Sequence, residues 1–244
     1  MLAQAAEHPA VLGIPQGAAA YGFKEEPSSS HSLILRMVGK GHGRRLLDVG
    51  AADGFLARRL SALGWEVTGI EGNPGLARQA EPHCSRVVIA DLNRSLPQVE
   101  RVEGSFDAIV YGDVLEHLAQ PEAVFRSINC SLGPEGVVIV SVPNIAHLWI
   151  RAQLLFGRFN YADKGILDRT HLRFFTLTSF REFLRVGGVR PTEMRVSPAP
   201  LELVVPPRWL GPWLWGVQRA HALAARAWPA GLGYQLIVKG VRDG

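Results

Sequence analysis

Among the carboxylates in the first half of the chain, four each lie at the end of a short apolar segment. A carboxylate at such a position can accept hydrogen bonds from hydroxyl or amino groups of a ligand, or face a positive charge on it. A single acid would say little, because acids also cap helices and cover surfaces. Four in succession predict a binding site that contains Asp48, Glu71, Asp91 and Asp113.

The first of these acids begins a glycine-rich segment, residues 48–54, with the sequence DVGAADG. Gly50 permits a tight turn, Gly54 opens a helix, and the small Ala51 between them lets a ligand approach the backbone. Dinucleotide sites have the spacing G-x-G-x-x-G, whereas the spacing here is D-x-G-x-x-x-G. An acid two residues before the first glycine suits a ligand with a positive group better than one with a pyrophosphate.

The acids must be positioned by the elements that precede them. Short apolar segments alternate with segments that are apolar on one helical face, which is typical of a mainly parallel sheet with helices on both faces. Ligands of such sheets bind beyond the carboxyl ends of the strands. We predict strands over residues 44–50, 65–71, 86–91, 106–113 and 136–144. We predict helices over 28–40 with Ser30 as N-cap, over 55–64, from Asn73 as N-cap and Pro74, and from Pro121 to about Leu132.

The second half of the chain contains two segments that are long for simple connections. Residues 145–170 are predicted to form a helical lid over an acceptor site. Residues 198–232 form a Trp-rich insert before the last strand. Between these segments we predict a helix from Thr178 to Gly187, and we predict the last two strands near 192–198 and 234–240. The domain organisation is therefore an N-terminal arm, 1–27, and a single domain, 28–244, with its core at 40–190.

The composition limits the range of partners. The chain has 244 residues, 47% of them hydrophobic, and a net charge of +4, but its basic residues occur singly or in pairs, so we do not expect it to bind nucleic acid. Cys84 and Cys130 lie far apart, which argues against a disulfide or zinc site and favours two small buried residues. The first 20 residues do not resemble a signal peptide, and no apolar run is long enough to span a membrane, so we predict a cytoplasmic protein.

Several segments resemble the ordered motifs of class I S-adenosylmethionine-dependent methyltransferases: LLDVGAADG, VTGIEGNP, VVIAD and FDAIVYGDVLEHLAQP. The resemblance implies a Rossmann-like fold of seven strands with an antiparallel last strand. It also implies S-adenosyl-L-methionine as cofactor, which carries an ammonium and a sulfonium but no phosphate. Many members have glycine where this chain has Ala52. The site residues so implied are Asp48, Gly50, Ala51 and Gly54 around the methionine moiety, Glu71 and Gly72 at the ribose, Asp91 and Leu92 at the adenine, and Asp113 closing the pocket.

Methyl transfer to a hydroxyl group needs alignment and removal of a proton. His171 lies in a segment, 167–188, that resembles bacterial methyltransferases of small-molecule, quinone or glycan pathways, and we choose it as the candidate general base. A structural role for His171 is the alternative. His117 is assigned a structural role, and His147 is a reserve candidate. No metal ion is expected at the site.

The predicted function is methylation of a small molecule or glycan, at oxygen in preference to nitrogen or carbon. Phe156, Phe159 and Tyr161 in the lid favour an apolar or ring-shaped acceptor, although they can also hold the lid down. One rival is a non-catalytic S-adenosylmethionine-binding partner of a biosynthetic complex, and a weaker one is an NAD-dependent oxidoreductase. Peripheral membrane contact through 208–228 is a further option, because Trp and Arg alternate there with apolar residues. The sequence does not predict an oligomeric state.

Overall fold

A single sheet of seven strands forms the centre of the molecule. The computed structural model describes residues 26–94, 105–200 and 214–243. Within these ranges the strands alternate with helices in the first half of the chain, as the apolar segments predict. The strands are β1 (Arg45–Val49), β2 (Glu66–Glu71), β3 (Arg86–Ile89), β4 (Phe106–Gly112), β5 (Leu132–Pro143), β6 (Val189–Ser197) and β7 (Gln235–Arg242).

The strands are arranged in the order β3-β2-β1-β4-β5-β7-β6. The pairs among β1 to β5 are parallel, and β7 runs antiparallel between β5 and β6. The prediction of a mainly parallel, Rossmann-like α/β fold with seven strands is thus confirmed. The strand order reverses between β1 and β4, so the carboxyl ends of these two strands border the crevice where such sheets bind ligands.

Helices cover both faces of the sheet. Leu46 and Leu47 are neighbours in β1 whose side chains enter different core clusters, because successive strand residues point to opposite faces. Ile34 and Leu60 complete one core, and Phe125 belongs to the other. The helices are α1 (Ser30–Val38), α2 (Phe55–Ala62), α3 (Pro74–Ala80), α4 (Pro121–Asn129), α5 (Leu148–Leu155), α6 (Leu177–Val186), α7 (Leu214–Ala227) and α8 (Pro229–Leu232), with 3-10 turns at Glu81–His83 and Leu115–His117.

The helix starts follow local capping chemistry. Asn73 caps α3 by accepting from the backbone N–H groups of Gly75 and Leu76, and Pro74 follows it, both as predicted. The N-cap of α1 is Ser29 and not the predicted Ser30, because the Ser29 hydroxyl accepts a hydrogen bond from the backbone N–H of Ser32. Ser30 instead begins the helix and directs its hydroxyl to a distant carboxylate.

Two further expectations need correction. The helix that begins at Pro121 ends at Asn129, and β5 begins at Leu132, four residues earlier than predicted. A shift in register between Phe106 and Ala108 lets this early part of β5 pair with the start of β4. Cys130, expected to be buried, is exposed at the end of α4.

The segment predicted as a lid contains one helix, α5, followed by turns. An isolated bridge joins Ala162 to Asp168, and another joins Asn144 to Phe175. The predicted Trp-rich insert includes α7 and α8, while its residues 201–213 lie outside the described part, as do residues 1–25 of the predicted arm. Among the helices that the structure describes, none has the length and apolar character needed to cross a membrane.

Candidate functional site

The turn between β1 and α2 is built on two glycines with left-handed backbone. Gly50 has φ +78° and Gly54 has φ +82°. A Cβ on Gly50 would lie 2.8 Å from Cγ2 of Val114, and one on Gly54 would lie 2.8 Å from Cα of Ala80. Both glycines are therefore required for conformation and for space, and the turn packs against the segment that follows β4. Ala51, buried between them, completes the narrow part of the turn.

Glu71, at the end of β2, holds this turn in place. Its Oε2 accepts a hydrogen bond from the N–H of Ala52 at 2.9 Å, and its Oε1 accepts one from the N–H of Asn73 at 2.8 Å. Ala52 is itself left-handed, with φ 50°, at the position where many methyltransferases have glycine. Each carboxylate oxygen keeps a second lone pair. Glu71 can therefore order the turn and still accept from ribose hydroxyls.

Asp48 lies inside β1, within the predicted strand 44–50 and one residue before the strand ends at Val49. Its side chain is buried, and its Oδ2 has no hydrogen-bond partner. Desolvation by burial, with repulsion from Glu71 as the smaller cause, raises the pKa of Asp48 to about 7. The same two kinds of cause, burial first and the charge of Asp48 second, raise the pKa of the Cys84 thiol to about 12. A positive ligand group near Asp48 would reverse this effect and favour the carboxylate.

The ends of β2 and β3 meet beside this acid pair. A Cβ on Gly72 would lie 3.3 Å from Cα of Asp91, so the two loops approach closely. Asp91 accepts from the N–H of Asn93 at 2.9 Å and forms an exposed ion pair with Arg94 at 3.4 Å. Leu92 packs partly buried against the larger core cluster. The structure thus places eight of the nine predicted cofactor residues in or directly after the ends of β1, β2 and β3, and their contact with a cofactor stays a prediction.

The ninth residue, Asp113, follows β4 with a left-handed φ of 55°. Its carboxylate accepts from the hydroxyls of Ser30 and Ser141 and from the amide of Gln235. These partners come from α1, β5 and β7. Asp113 therefore fixes the junction of three elements at the carboxyl end of the sheet, and a direct contact with cofactor stays a prediction.

His171 is a buried imidazole with a defined tautomer. Its Nδ1 lies 3.0 Å from the carbonyl of Ile166, and since a carbonyl can only accept, Nδ1 carries the proton. In the neutral ring Nε2 is then free of hydrogen and can accept one. Burial, followed by the nearby charge of His117, lowers the pKa of His171. The ring is therefore neutral at physiological pH, with Nε2 able to accept a proton.

His117 has the same tautomer by a different route. Thr170 donates its hydroxyl hydrogen to Asp168 at 2.7 Å, so its oxygen accepts from Nδ1 of His117 at 3.1 Å. The Thr170 carbonyl accepts from the same nitrogen at 3.3 Å. Burial is the main cause that lowers the pKa of His117. The predicted structural role of His117 agrees with these bonds, since they tie the turn after β4 to the segment around His171.

The carboxylate of Glu116 lies close to both imidazoles. Glu116, His117 and His171 each offer one ligand atom within 4.8 Å of the others. The backbone carbonyl of Glu116 also accepts from the N–H groups of Leu172 and Arg173. These three side chains have the donor types of a metal site, although no metal was expected. Glu116 was missed as a site residue because a buried carboxylate in a 3-10 turn has no signal of its own in sequence.

Two other residues near this cluster differ in what the sequence reveals. His147, the reserve base, caps α5, and its Nδ1 accepts from the N–H of Trp149, so its role in the structure is a helix cap. Tyr234 was missed. A Cβ on Gly165 would lie 2.7 Å from its hydroxyl, and its pKa is raised by burial, with a hydrogen bond to the Ile166 backbone acting in the other direction. Only the folded chain brings Tyr234 beside the lid.

The region suits S-adenosylmethionine in charge. The buried oxygen of Asp48 lacks a partner and favours a cationic neighbour, while Gly50 and Gly54 let the turn pack closely against Val114 and Ala80. A pyrophosphate would face two acids, Asp48 and Glu71, without a basic partner among the residues of the turn, 48–54. The residues present therefore fit the cofactor that the sequence resemblance implies.

Comparisons with known proteins agree with this geometry. Residues 24–190 match the family of methyltransferase domains. The chain is 34% identical over 105 residues to a ubiquinone biosynthesis O-methyltransferase of Xanthomonas campestris pv. campestris. This alignment covers 42% of this chain and 44% of that protein. The chain thus spans less than half the length of the curated relatives that it matches.

Solved structures share the fold. One is an S-adenosylmethionine-dependent methyltransferase from Archaeoglobus fulgidus, with 15% identity, a TM-score of 0.59 and coverage of 86% of this chain and 91% of that one. Another is the 1,6-didemethyltoxoflavin-N1-methyltransferase of Burkholderia thailandensis with bound S-adenosylhomocysteine, with 17% identity, a TM-score of 0.55 and coverage of 90% and 80%. The strand order, the acid-lined crevice and the family match lead to one conclusion: the chain belongs to the family of Rossmann-like, S-adenosylmethionine-dependent methyltransferase domains.

Proposed function

We propose that this protein transfers a methyl group from S-adenosylmethionine to a hydroxyl oxygen of a small molecule or glycan, with His171 as general base. The observation that carries the proposal is the fixed tautomer of His171. Its Nδ1–H is bound to the carbonyl of Ile166, which leaves Nε2 as an acceptor in a buried, neutral ring.

The cofactor supplies a methyl group that a sulfonium makes electrophilic. This chain's contribution is to hold it and to align the acceptor. Glu71 and Gly72 would hold the ribose, Asp91 and Leu92 the adenine, and Asp48 would face the positive part of the ligand. The acceptor hydroxyl would give its proton to Nε2 of His171, whose low pKa keeps that nitrogen unprotonated.

The preference for oxygen has two supports. A base is useful for a hydroxyl acceptor, which must lose a proton, and His171 can accept one. The curated relatives that match residues of this chain include ubiquinone biosynthesis O-methyltransferases, although the match covers under half of either protein. Phe174, whose ring centroid lies 6.3 Å from that of His171, favours an acceptor with an apolar or ring-shaped part.

The rivals make different predictions. An NAD-dependent oxidoreductase would need a turn that accepts a pyrophosphate, whereas the first turn here is bordered by Asp48 and Glu71. A non-catalytic partner of a biosynthetic complex would bind S-adenosylmethionine but show no turnover alone. We also propose that the protein is cytoplasmic and that its function does not involve nucleic acid.

The decisive experiment combines binding and turnover. Purified protein is titrated calorimetrically with S-adenosylmethionine, S-adenosylhomocysteine and NAD, and is then assayed for S-adenosylhomocysteine release with phenolic and sugar acceptors. Binding of the first two, with release that requires an acceptor and is lost in His171→Ala, supports the proposal. Binding of NAD alone would overturn it, and cofactor binding without turnover on any acceptor would favour the non-catalytic rival.

A further inference from the structure

Helix α5 has a composition that does not match its surroundings. Its sequence, LWIRAQLL, is apolar on all sides with one charged residue, Arg151. A helix of this kind is normally surrounded by protein or placed in lipid. In the structure only Ile150 is buried, against Ile166 and Leu167. Most of the apolar surface of α5 therefore faces outward.

The outward side chains are large. Trp149 is 65% exposed, Leu155 is 82% exposed and Phe156, the C-cap of the helix, is 77% exposed. Leu154 and Phe159, in the same short segment, are also exposed. We call these five residues the lid surface. Soluble monomers rarely expose so many large apolar side chains in one short segment unless another surface covers them.

The lid surface is connected to the candidate site. Phe159 contacts Phe174, with ring centroids 6.0 Å apart, and Phe174 contacts His171 at 6.3 Å. A surface that covers α5 would therefore lie near the imidazole that we propose as base. An apolar molecule held in that surface would have a short route to the acceptor site.

The charge around the lid surface is positive. Residues 145–175 contain five basic residues and two acids. One acid, Asp163, is paired with Arg169 at 2.8 Å, and the other, Asp168, is buried. α5 itself contains no acid. The basic residues are Arg151, Arg158, Lys164, Arg169 and Arg173, all exposed.

We propose that the lid surface docks on an anionic lipid bilayer. Trp149, Leu155 and Phe156 would lie at the boundary between headgroups and acyl chains, and Arg151 and Arg158 would contact anionic headgroups. This places membrane contact on α5, in addition to the segment 208–228 that the sequence suggested. Docking requires neither cofactor nor acceptor, so it is independent of the proposed reaction.

Charge also separates this occupant from a second copy of the chain. Two lid surfaces facing each other would bring like charges together, because the exposed basic residues exceed the exposed acid in number. An anionic bilayer is complementary to the same surface. Self-association is therefore the outcome that the experiment must distinguish from docking.

The test is co-sedimentation of the full chain with vesicles of phosphatidylcholine alone or with about one third phosphatidylglycerol. We expect binding to the anionic vesicles that weakens as salt is raised. Leu155→Ser with Phe156→Ser should reduce binding about tenfold or more, and Arg158→Glu should reduce it further. Val186→Ser, which changes an exposed apolar residue of α6, is the matched control and should leave binding unchanged.

Equal binding by the double variant and the unaltered chain would overturn the proposal, as would absence of binding to anionic vesicles. Leu223→Ser tests α7, where Leu223 is exposed; loss of binding in this variant alone would move the contact to α7 and contradict the assignment to α5. Light scattering without vesicles completes the set. A dimer that the double variant dissociates, together with no vesicle binding, would identify a second copy as the occupant.

Discussion

The imidazole of His171 packs edge-on against that of His117, with ring centroids 4.8 Å apart and an angle of 72° between the rings. Both rings donate through Nδ1 to the protein, so both present Nε2 as an acceptor when neutral. A positive charge on one ring opposes a charge on the other. The pair therefore remains neutral to a lower pH than a single exposed histidine would.

This pair leads to a pH prediction. The pKa of His171 is lowered, and only the neutral ring can accept a proton, so kcat/KM should rise with pH through an apparent pKa below 6.5 and remain level above it. His171→Ala should reduce kcat by roughly 100-fold or more while leaving cofactor affinity nearly unchanged. The measurement is a pH–rate profile of both forms. Normal turnover of the variant at all pH values would remove His171 as base.

His117→Ala is the complementary variant. Removing the neighbouring imidazole eliminates one of the two causes that lower the pKa of His171, so that pKa should rise. The acidic limb of the pH–rate profile should therefore move to higher pH. A purely structural role for the pair would lower turnover equally at every pH. The shape of the profile therefore separates electrostatic coupling from a loss of folding.

A chelator experiment tests the cluster of Glu116, His117 and His171. We expect turnover to persist after dialysis against EDTA, because the sulfonium already activates the methyl carbon and no metal is needed for that purpose. The measurement is S-adenosylhomocysteine release before and after treatment, with added Mg²⁺ or Zn²⁺ as control. Loss of activity that either ion restores would identify the cluster as a metal centre instead.

Asp48 should make stability depend on pH in an unusual direction. Its pKa in the fold is about 7, above the ordinary value of 3.8. Between pH 3.8 and about 7, the native state therefore holds a proton that the unfolded state has lost. The contribution of this group is thus fully present below about pH 4 and is lost as pH rises to about 7. Asp48→Asn should stabilise the cofactor-free protein at pH 8 by up to about 4 kcal/mol.

The free energy of unfolding of both proteins is measured in urea at pH 8 and at pH 4. At pH 4 the difference between the two proteins should largely disappear. The same variant should bind S-adenosylmethionine more weakly, because the amide cannot face a cation as a carboxylate does. Equal stability at pH 8 would show that Asp48 is not strained by burial. Unchanged affinity would remove it from the cofactor site.

Glu71 has two roles that a pair of variants can separate. Glu71→Ala should weaken S-adenosylmethionine binding by about 1.5–3 kcal/mol, the range for hydrogen bonds to a charged group. Glu71→Gln retains one acceptor oxygen for the turn, and its affinity should lie between those of the other two proteins. Calorimetric titration gives both constants. Unchanged affinity in the alanine variant would contradict the ribose assignment.

The parts of the site that could be predicted from sequence are those built from neighbouring residues. The turn from Gly50 to Gly54 and the cap formed by Asn73 and Pro74 are set by local geometry, and they appear in the chain as short motifs. The alternation of apolar strands with amphipathic helices likewise predicts the sheet. Even so, periodicity does not define the end residues of a strand: the predicted strand 44–50 includes Arg44 and Gly50, whereas β1 runs from Arg45 to Val49.

The other parts depend on residues that only folding brings together. The carboxylate of Asp113 is held by Ser30 and Gln235, which are 83 and 122 positions away. His117 and Thr170 meet across 53 positions. No local pattern encodes such pairs, so the sequence suggested His171 as a base without its tautomer.

The position of β7 has a consequence for how the chain is made. β5 and β6 are joined through β7, which pairs with β5 over residues 235–241 and with β6 over residues 235–242, and which is synthesised after both of them. Until residues 235–242 emerge, a nascent chain would leave one edge of β5 unpaired and β6 without a neighbouring strand, and such edges promote aggregation. Synthesis that stalls between β6 and β7 should therefore create a need for chaperones, whereas completion of β7 joins β6 to the rest of the sheet in one step.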